Sequence, residues 1–342
     1  MLTLEGVYKS FGGGGRRGQR GRLVAVDGLS LAIGRGPMDH NQPGEGEVFG
    51  LLGPNGAGKT TTIAMAAGLL RPDRGVVRLG RSGIPAEARV RGLLGVAPQE
   101  LALYGALTAR ENLVFFARLQ GLDRRSARRR ADELLELVGL AERADRRVGG
   151  LSGGMRRRLN LACALVGEPA IVLLDEPTAG VDPHSRHAIF GLIRRLRARG
   201  VTVLFSTHYM EEAARLCDRV AVIDRGRLLA LGSVDELVRA HGGHSAVVYR
   251  LAGETRERRV RTDRPMEAIA RLLEPARAAA VQAAAATGSL GEPHTHPEAD
   301  TVAGAVAGVV GGGGGGVVEE LRVERPDLES VFLNLTGRGS RD

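Results

Sequence analysis

The segment Gly53-Pro-Asn-Gly-Ala-Gly-Lys-Thr60 has residue types and spacing suited to holding a polyphosphate. Glycines let successive backbone N–H groups converge on phosphate oxygens, and a helix beginning at Lys59 adds the partial positive charge of its N-terminus. Lys59 then reaches the β- and γ-phosphates as a compact point charge, and the Thr60 hydroxyl is offered to Mg²⁺. A second feature is the apolar run Ile171-Val-Leu-Leu, followed by Asp175 and Glu176. Beside a phosphate cradle the two carboxylates have different tasks available. Asp175 binds Mg²⁺ through water, while Glu176 orients the attacking water or accepts its proton. Only two of the 48 basic residues are lysines, Lys9 and Lys59. A lysine kept against so strong an arginine bias singles out Lys59, and Lys9 reads as a surface residue.

These groups need a strand ending at Gly53, a helix starting at Lys59 and a buried strand ending at Asp175. Glu47–Leu52 reads as the first, and Lys59–Leu70, stopped by Pro72, as the helix. Ile171–Leu174 and Val201–Ser206 read as strands covered on both faces of a parallel sheet. Thr108-x-x-Glu111 is a capping box, Arg124–Val138 has a 3.6-residue apolar period, Ser152 heads another helix, and His184–Arg199 is amphipathic. Cycles of apolar strand and helix predict an α/β layered fold. Leu2–Val7 and Leu23–Ile33 read as strands ahead of it, with loops expected at 12–22 and 34–46.

After Gly232 the character changes. Ser233-x-x-Glu236 caps a short helix, Ala246–Leu251 and Glu257–Thr262 read as a strand pair, and Val317–Val323 and Asp327–Leu335 as strand and helix. Between them, 276–316 is Ala-rich and Gly-rich and ends in six consecutive glycines, an expected disordered insertion. The expected organisation is a nucleotide-binding domain over 1–240, with a helical subdomain at about 100–165, and an accessory domain over 241–342.

Phe11 in KSFG, the loop Gly53–Thr61, Gln99 in VAPQE, LSGGM at Leu151–Met155, LLDEP at Leu173–Pro177, Asp182 in GVDP and His208 in STHYMEEA follow in the order of ABC transporter ATP-binding subunits. The chain resembles that family over about 200 residues. The resemblance implies a P-loop ABC ATPase fold with a mixed sheet core and a helical subdomain, followed here by a small α+β C-terminal domain. It implies ATP with Mg²⁺, cradled by Gly53, Asn55, Gly56, Ala57, Gly58, Lys59, Thr60 and Thr61. Thr60, Gln99 and Asp175 are implied on the metal side, and Glu176, His208 and Gln99 in the chemistry. Two copies are implied to pack head to tail, so that Ser152, Gly153 and Gly154 of one meet the γ-phosphate held by Lys59 of the other. Asp182 is implied at the dimer seam, and Phe11 on the adenine. Met155 stands where many relatives have Gln, and the loops at 12–22 and 34–46 are insertions relative to the family.

The stretches APQELALYGALTARENLVFFARLQGL, LSGGMRRRLNLACALVGEP and DLESVFLNLTGRGSRD resemble the daunorubicin-resistance type of these subunits, which works with a separate six-helix permease. Export of a drug or other hydrophobic compound is implied, with the subunit held by the permease at the cytoplasmic face of the membrane. An importer subunit keeps the same chemistry. A soluble relative acting on ribosomes or DNA usually carries two ATPase units or a coiled coil between Gln and LSGG. Here there is one set of motifs, and 52 positions separate Gln99 from Leu151.

Composition bounds the rest. With 342 residues, 43% apolar and 25% charged, the chain is long enough for a large and a small domain. The net charge of +9 reads as arginine-rich surface rather than a nucleic-acid patch. The first ten residues lack a signal-peptide pattern, and no run is apolar and long enough to span a bilayer. Cys163 and Cys217 are too far apart in sequence for a metal or redox pair and read as small core residues in a reducing compartment. His294-x-His296, in the Ala/Gly-rich stretch, reads as solvated loop rather than a metal site.

Overall fold

The computed structural model describes residues 1–12, 22–34, 46–80, 83–274 and 318–337. Most of the loops expected at 12–22 and 34–46, and all of 276–316 with His294 and His296, lie outside the described residues. The chain divides into two compact units, Met1–Leu237 and Val238–Asp342.

In the first unit, β1 (Leu2–Phe11), β2 (Leu23–Ile33) and β4 (Arg74–Leu79) form an antiparallel sheet in the order β2-β1-β4. The strand β3 (Val48–Leu52) belongs to a six-stranded sheet with β5 (Leu94–Ala97), β6 (Ile171–Leu174), β7 (Thr202–Thr207), β8 (Arg219–Asp224) and β9 (Arg227–Gly232). Its order is β5-β6-β7-β3-β8-β9, parallel throughout except for β9. The helices of the unit are α1 (Lys59–Ala66), α2 (Ala88–Arg91), α3 (Ala109–Leu119), α4 (Arg124–Leu137), α5 (Gly153–Ala164), α6 (Pro183–Ala198) and α7 (Met210–Leu216), and α8 (Val234–His241) begins at its end.

The apolar strands are buried on both faces, and their alternation assigns each residue to a layer. Val48, Val172, Leu174, Val203 and Phe205 join a core with α3 to α6. Phe49, Leu51, Ile171, Leu173 and Leu204 face the other way and join Leu2, Leu4 and Val26 of the antiparallel sheet and Ile63 and Met65 of α1. Thus α1 belongs to a core shared by the two sheets, and both layers fix where it begins. It stops at Ala66 rather than Leu70 because Gly68 turns left-handed at φ +71°, where a Cβ would lie 2.4 Å from the Pro85 carbonyl carbon. Cys163 and Cys217 pack against the first core. Burial pushes the Cys163 thiol up to about 12 and raises that of Cys217 as well.

The second unit holds a three-stranded antiparallel sheet, with β10 (Ser245–Leu251) between β11 (Arg258–Thr262) and β12 (Val318–Glu324). Two helices follow the strands, α9 (residues 265–274) and α10 (Leu328–Thr336). The central strand contributes Ala246, Val247 and Val248 to the interior, and α10 contributes Leu328, Val331 and Phe332. Among the described residues of either unit, no helix is long and apolar enough to cross a membrane.

Phe205 is fully buried beside the strand end that carries the site. Phe205→Ala is expected to cost about 3–5 kcal/mol of unfolding free energy, measurable by urea denaturation. A loss below about 1 kcal/mol would show that this layer is not the core.

Candidate active site

Parallel pairing sets Leu52 beside Thr207, Leu174 beside Phe205, and Ala97 beside Leu174. The carboxyl ends of β3, β5, β6 and β7 therefore share one edge of the sheet, where open α/β sheets bind ligands. Gly53, Gln99, Asp175 and His208 all follow these ends.

The loop from Gly53 to Gly58 is closely confined. A Cβ at Gly53 would lie 2.3 Å from the Ile223 carbonyl, and one at Gly58, at φ +100°, 2.3 Å from the Ala25 carbonyl. The Ala57 carbonyl accepts a hydrogen bond from Gly226 N–H at 3.0 Å. The helices α3, α4, α5 and α6 are capped by the side chains of Thr108, Asp123, Ser152 and Asp182. By contrast, α1 starts from Gly58 with no side-chain cap and no acid in its first turn. Such an N-terminus directs free N–H donors at an anion. Thr60 is exposed on its first turn, and Asn55 and Gly56 are exposed on the loop.

Lys59 is buried at 5% exposure. Its Nζ donates to the Gly53 carbonyl at 2.8 Å and the Pro54 carbonyl at 3.1 Å, and meets Glu176 Oε1 at 3.1 Å. The same Glu176 oxygen lies 3.3 Å from His208 Nδ1. Two of the residues that the sequence singles out thus converge on one atom of a third. Ser206 completes the group: its hydroxyl donates to Asp175 Oδ1 at 2.7 Å and accepts from Glu176 N–H at 2.9 Å. Glu176 has φ +44°, a left-handed conformation costing about 1–3 kcal/mol for a residue with a side chain.

Gln99 is exposed just beyond β5. Two residues of α5 hold its segment. Arg157 donates to the Gln99 carbonyl at 2.6 Å, and Asn160 donates to the Pro98 carbonyl at 3.3 Å and accepts from Ala102 N–H at 3.1 Å. Burial draws the Arg157 guanidinium below its usual range, opposed by the charges of Asp175 and Glu176.

The LSGG residues make a second group. Ser152 caps α5, accepting from Met155 N–H at 3.2 Å, and both Ser152 and Gly153 are exposed. Gly154 abuts α6, where a Cβ would lie 2.0 Å from Ser185 Oγ and 3.2 Å from Asp182 Oδ2. Asp182 caps α6 through Ser185 N–H at 2.9 Å, a bond that holds its carboxyl below the usual range. Among the described residues, no hydrogen bond or ion pair joins Ser152, Asp182 or Phe11 directly to Lys59.

Phe11 ends β1 and is 42% exposed. Lys9 is not a free surface residue. Its Nζ donates to the Arg71 carbonyl and to Asp73 Oδ1, both at 2.9 Å, and lies 5.8 Å over the Phe11 ring. The Lys9 bond first, then Ser10 N–H, lowers the Asp73 carboxyl to about 2, so that carboxyl stays ionised at neutral pH.

The sequence pattern of the family described as ABC transporter matches residues 42–179. The linearmycin resistance ATP-binding protein LnrL of Bacillus subtilis strain 168 is 36% identical, with 100% of each chain covered. The chain belongs to the ABC transporter family. The Nod factor export ATP-binding protein I of Burkholderia pseudomallei strain 1710b is 49% identical over 64% of this chain and 69% of its own length. Among solved structures, a dimeric ATP-binding cassette in a post-hydrolysis state with ADP and Pi is similar at TM-score 0.59 and 26% identity, covering 68% of this chain and 98% of its own. The ATP-binding subunit of another ABC transporter matches at TM-score 0.57 and 30% identity, over 70% of this chain and 93% of its own. The protein is thus an ABC ATPase: it binds ATP and hydrolyses it.

In this ABC ATPase, Ser206, Arg157 and Asn160 take positioning roles that no sequence motif assigns to them. For Ser206 a signal existed, since a hydroxyl follows Val203-Leu-Phe at a buried strand end. Ser206→Ala removes a bond to Asp175 and leaves the Glu176 N–H without its acceptor, an effect of about 1–3 kcal/mol on positioning. Phosphate release at saturating ATP is expected to fall roughly tenfold or more; an unchanged rate would mean that Ser206 does not position the carboxylates.

Proposed function

We propose that the protein is the ATP-hydrolysing subunit of an exporter. Two copies close head to tail over ATP, and a separate multi-helix permease holds them at the cytoplasmic face of the membrane and carries the cargo. The reading is supported by the resistance and export relatives and by the dimeric cassette among the structural neighbours. By the same kinship, the cargo is a drug or another hydrophobic compound. Residues 1–240 act as the nucleotide-binding domain and 241–342 as an accessory domain.

The observation that carries the chemistry is the convergence of Lys59 and His208 on Glu176 Oε1 at 3.1 and 3.3 Å. An ammonium has three N–H donors, and those of Lys59 face two carbonyls and this carboxylate. Engaging the β- and γ-phosphates therefore draws Lys59 away from Glu176 and frees the Glu176 oxygen to orient a water and take its proton. His208, beside that oxygen, contacts the γ-phosphate. The N–H groups of Gly53 to Thr61 cradle the phosphates, while Phe11 stacks on adenine with Lys9 over its ring. Ser152, Gly153 and Gly154 of the other copy present the N-terminus of α5 to the same γ-phosphate, with Asp182 at the seam.

Thr60, Gln99 and Asp175 offer a hydroxyl, an amide oxygen and a carboxylate, the hard oxygen donors that suit Mg²⁺. The ion would hold the β- and γ-phosphate oxygens and neutralise their charge. Ser206 fixes one Asp175 oxygen for that purpose.

Lys59→Ala should weaken ATP binding at least about a hundredfold, read by titration of the purified subunit; ordinary affinity would remove the cradle assignment. Glu176→Gln should keep ATP affinity but slow hydrolysis about 10²–10⁴-fold and accumulate an ATP-bound dimer on gel filtration. Unchanged turnover would place water activation elsewhere.

A further inference from the structure

Thr178, Arg186, Thr207 and Glu212 form a polar cluster that none of the roles above uses. Glu212 lies in the first turn of α7 and is 3% exposed. Its Oε2 accepts from the Thr178 hydroxyl at 2.8 Å and from the Thr207 hydroxyl at 2.9 Å. Its Oε1 is ion-paired with Arg186 Nε at 3.4 Å, without the alignment of a hydrogen bond.

Three segments meet on this carboxylate. Thr178 belongs to the loop that runs from Glu176 to Asp182. Arg186 stands in the first turn of α6, the helix that Asp182 caps. Thr207 ends β7 immediately before His208, and its hydroxyl also accepts Tyr209 N–H at 3.0 Å. His208 is thereby held from both sides. The Arg186 guanidinium lies 5.4 Å from the Tyr209 ring, which in turn is 4.1 Å from the His208 ring.

A carboxylate taken out of water is a costly way to fill space, and an apolar side chain would do so more cheaply. What it provides is geometry, since two hydroxyls and a guanidinium are set by one planar group. We propose that Glu212 is a positioning residue that locks the His208 loop to the Thr178–Asp182 loop, so that the two move as one body. Displacement of the seam loop by the other copy then moves His208 relative to Glu176. The inference rests on the roles assigned to His208 and Asp182 under the proposed function.

The test is ATPase kinetics on the full-length subunit, with thermal unfolding to confirm that each variant is folded. Glu212→Ala should lower kcat roughly ten- to a hundredfold while KM for ATP stays within about twofold. Glu212→Gln keeps an amide oxygen that accepts both hydroxyls and should recover kcat to within about threefold of wild type. In a His208→Ala background, Glu212→Ala should cost less than about twofold, because no histidine is left to misplace. Thr178→Val, which removes one hydroxyl at nearly constant volume, should lower kcat several-fold and gives the same reading if Glu212→Ala does not fold. Equal losses with and without His208, or a change in KM alone, would overturn the coupling. A wild-type rate in His208→Ala by itself would instead overturn the role of His208.

Discussion

The burial of Lys59 constrains everything around it. An ammonium at 5% exposure is tolerated only where its protons meet acceptors. Here these are the carbonyls of Gly53 and Pro54 and the carboxylate of Glu176. The carbonyls come from a loop pressed against neighbouring strands, where a Cβ would collide with the Ile223 carbonyl at Gly53 and with the Ala25 carbonyl at Gly58. The carboxylate comes from β6, two strands away from β3 in the order β6-β7-β3. Its arrival depends on the strand between them. Parallel registers of β7 with both neighbours level their ends, and the end of β7 supplies Ser206, Thr207 and His208. A shift of either register would leave a charged group buried without its partner.

Much of this was legible in the sequence because it is local. The glycine spacing of the phosphate loop dictates a backbone shape within eight residues, and the wholly apolar Ile171–Leu174 dictates a strand covered on both faces. The acid pair then has to stand at its end. What was not legible depends on contacts between distant segments. Ser206 works 31 positions from Asp175, Thr178 is 34 from Glu212, and Arg157 is 58 from Gln99. No spacing in the chain displays such pairs. The strand β5 is faint in the sequence for another reason. It has four residues, one of them Gly95, where a Cβ would lie 2.2 Å from the Ala164 carbonyl. The glycine that weakens its strand signal is what admits the end of α5.

The two lysines differ in how far their chemistry resists the drift to arginine. Lys9 reaches a carbonyl and a carboxylate on the half-exposed side of β1, an arrangement a guanidinium fork also satisfies. Lys59 has three acceptors grouped around one nitrogen inside a closed loop, and a broad planar guanidinium cannot present its donors that way. Elsewhere arginine is used on the surface. Arg322 makes a bidentate pair with Glu257 at 2.7 and 2.8 Å, and Arg258 pairs with Glu254. Exposed pairs of this kind add little stability, so the +9 charge says little about the site.

The strain at Glu176 follows from having two carboxylates in a row. Along an extended strand consecutive side chains point to opposite faces, so Asp175 and Glu176 could not serve one site if β6 simply continued. A left-handed turn at Glu176, φ +44°, redirects the chain between them. Asp175 keeps the direction set by the strand and reaches the Ser206 hydroxyl, while Glu176 swings to Lys59 and His208. The conformational cost, about 1–3 kcal/mol, is offset where it arises. Ser206 binds the Glu176 N–H as well as the Asp175 carboxylate, and so holds both sides of the turn with one hydroxyl. Glycine would relieve the strain but would remove the carboxylate, so the site keeps an acid in a backbone conformation that acids rarely adopt.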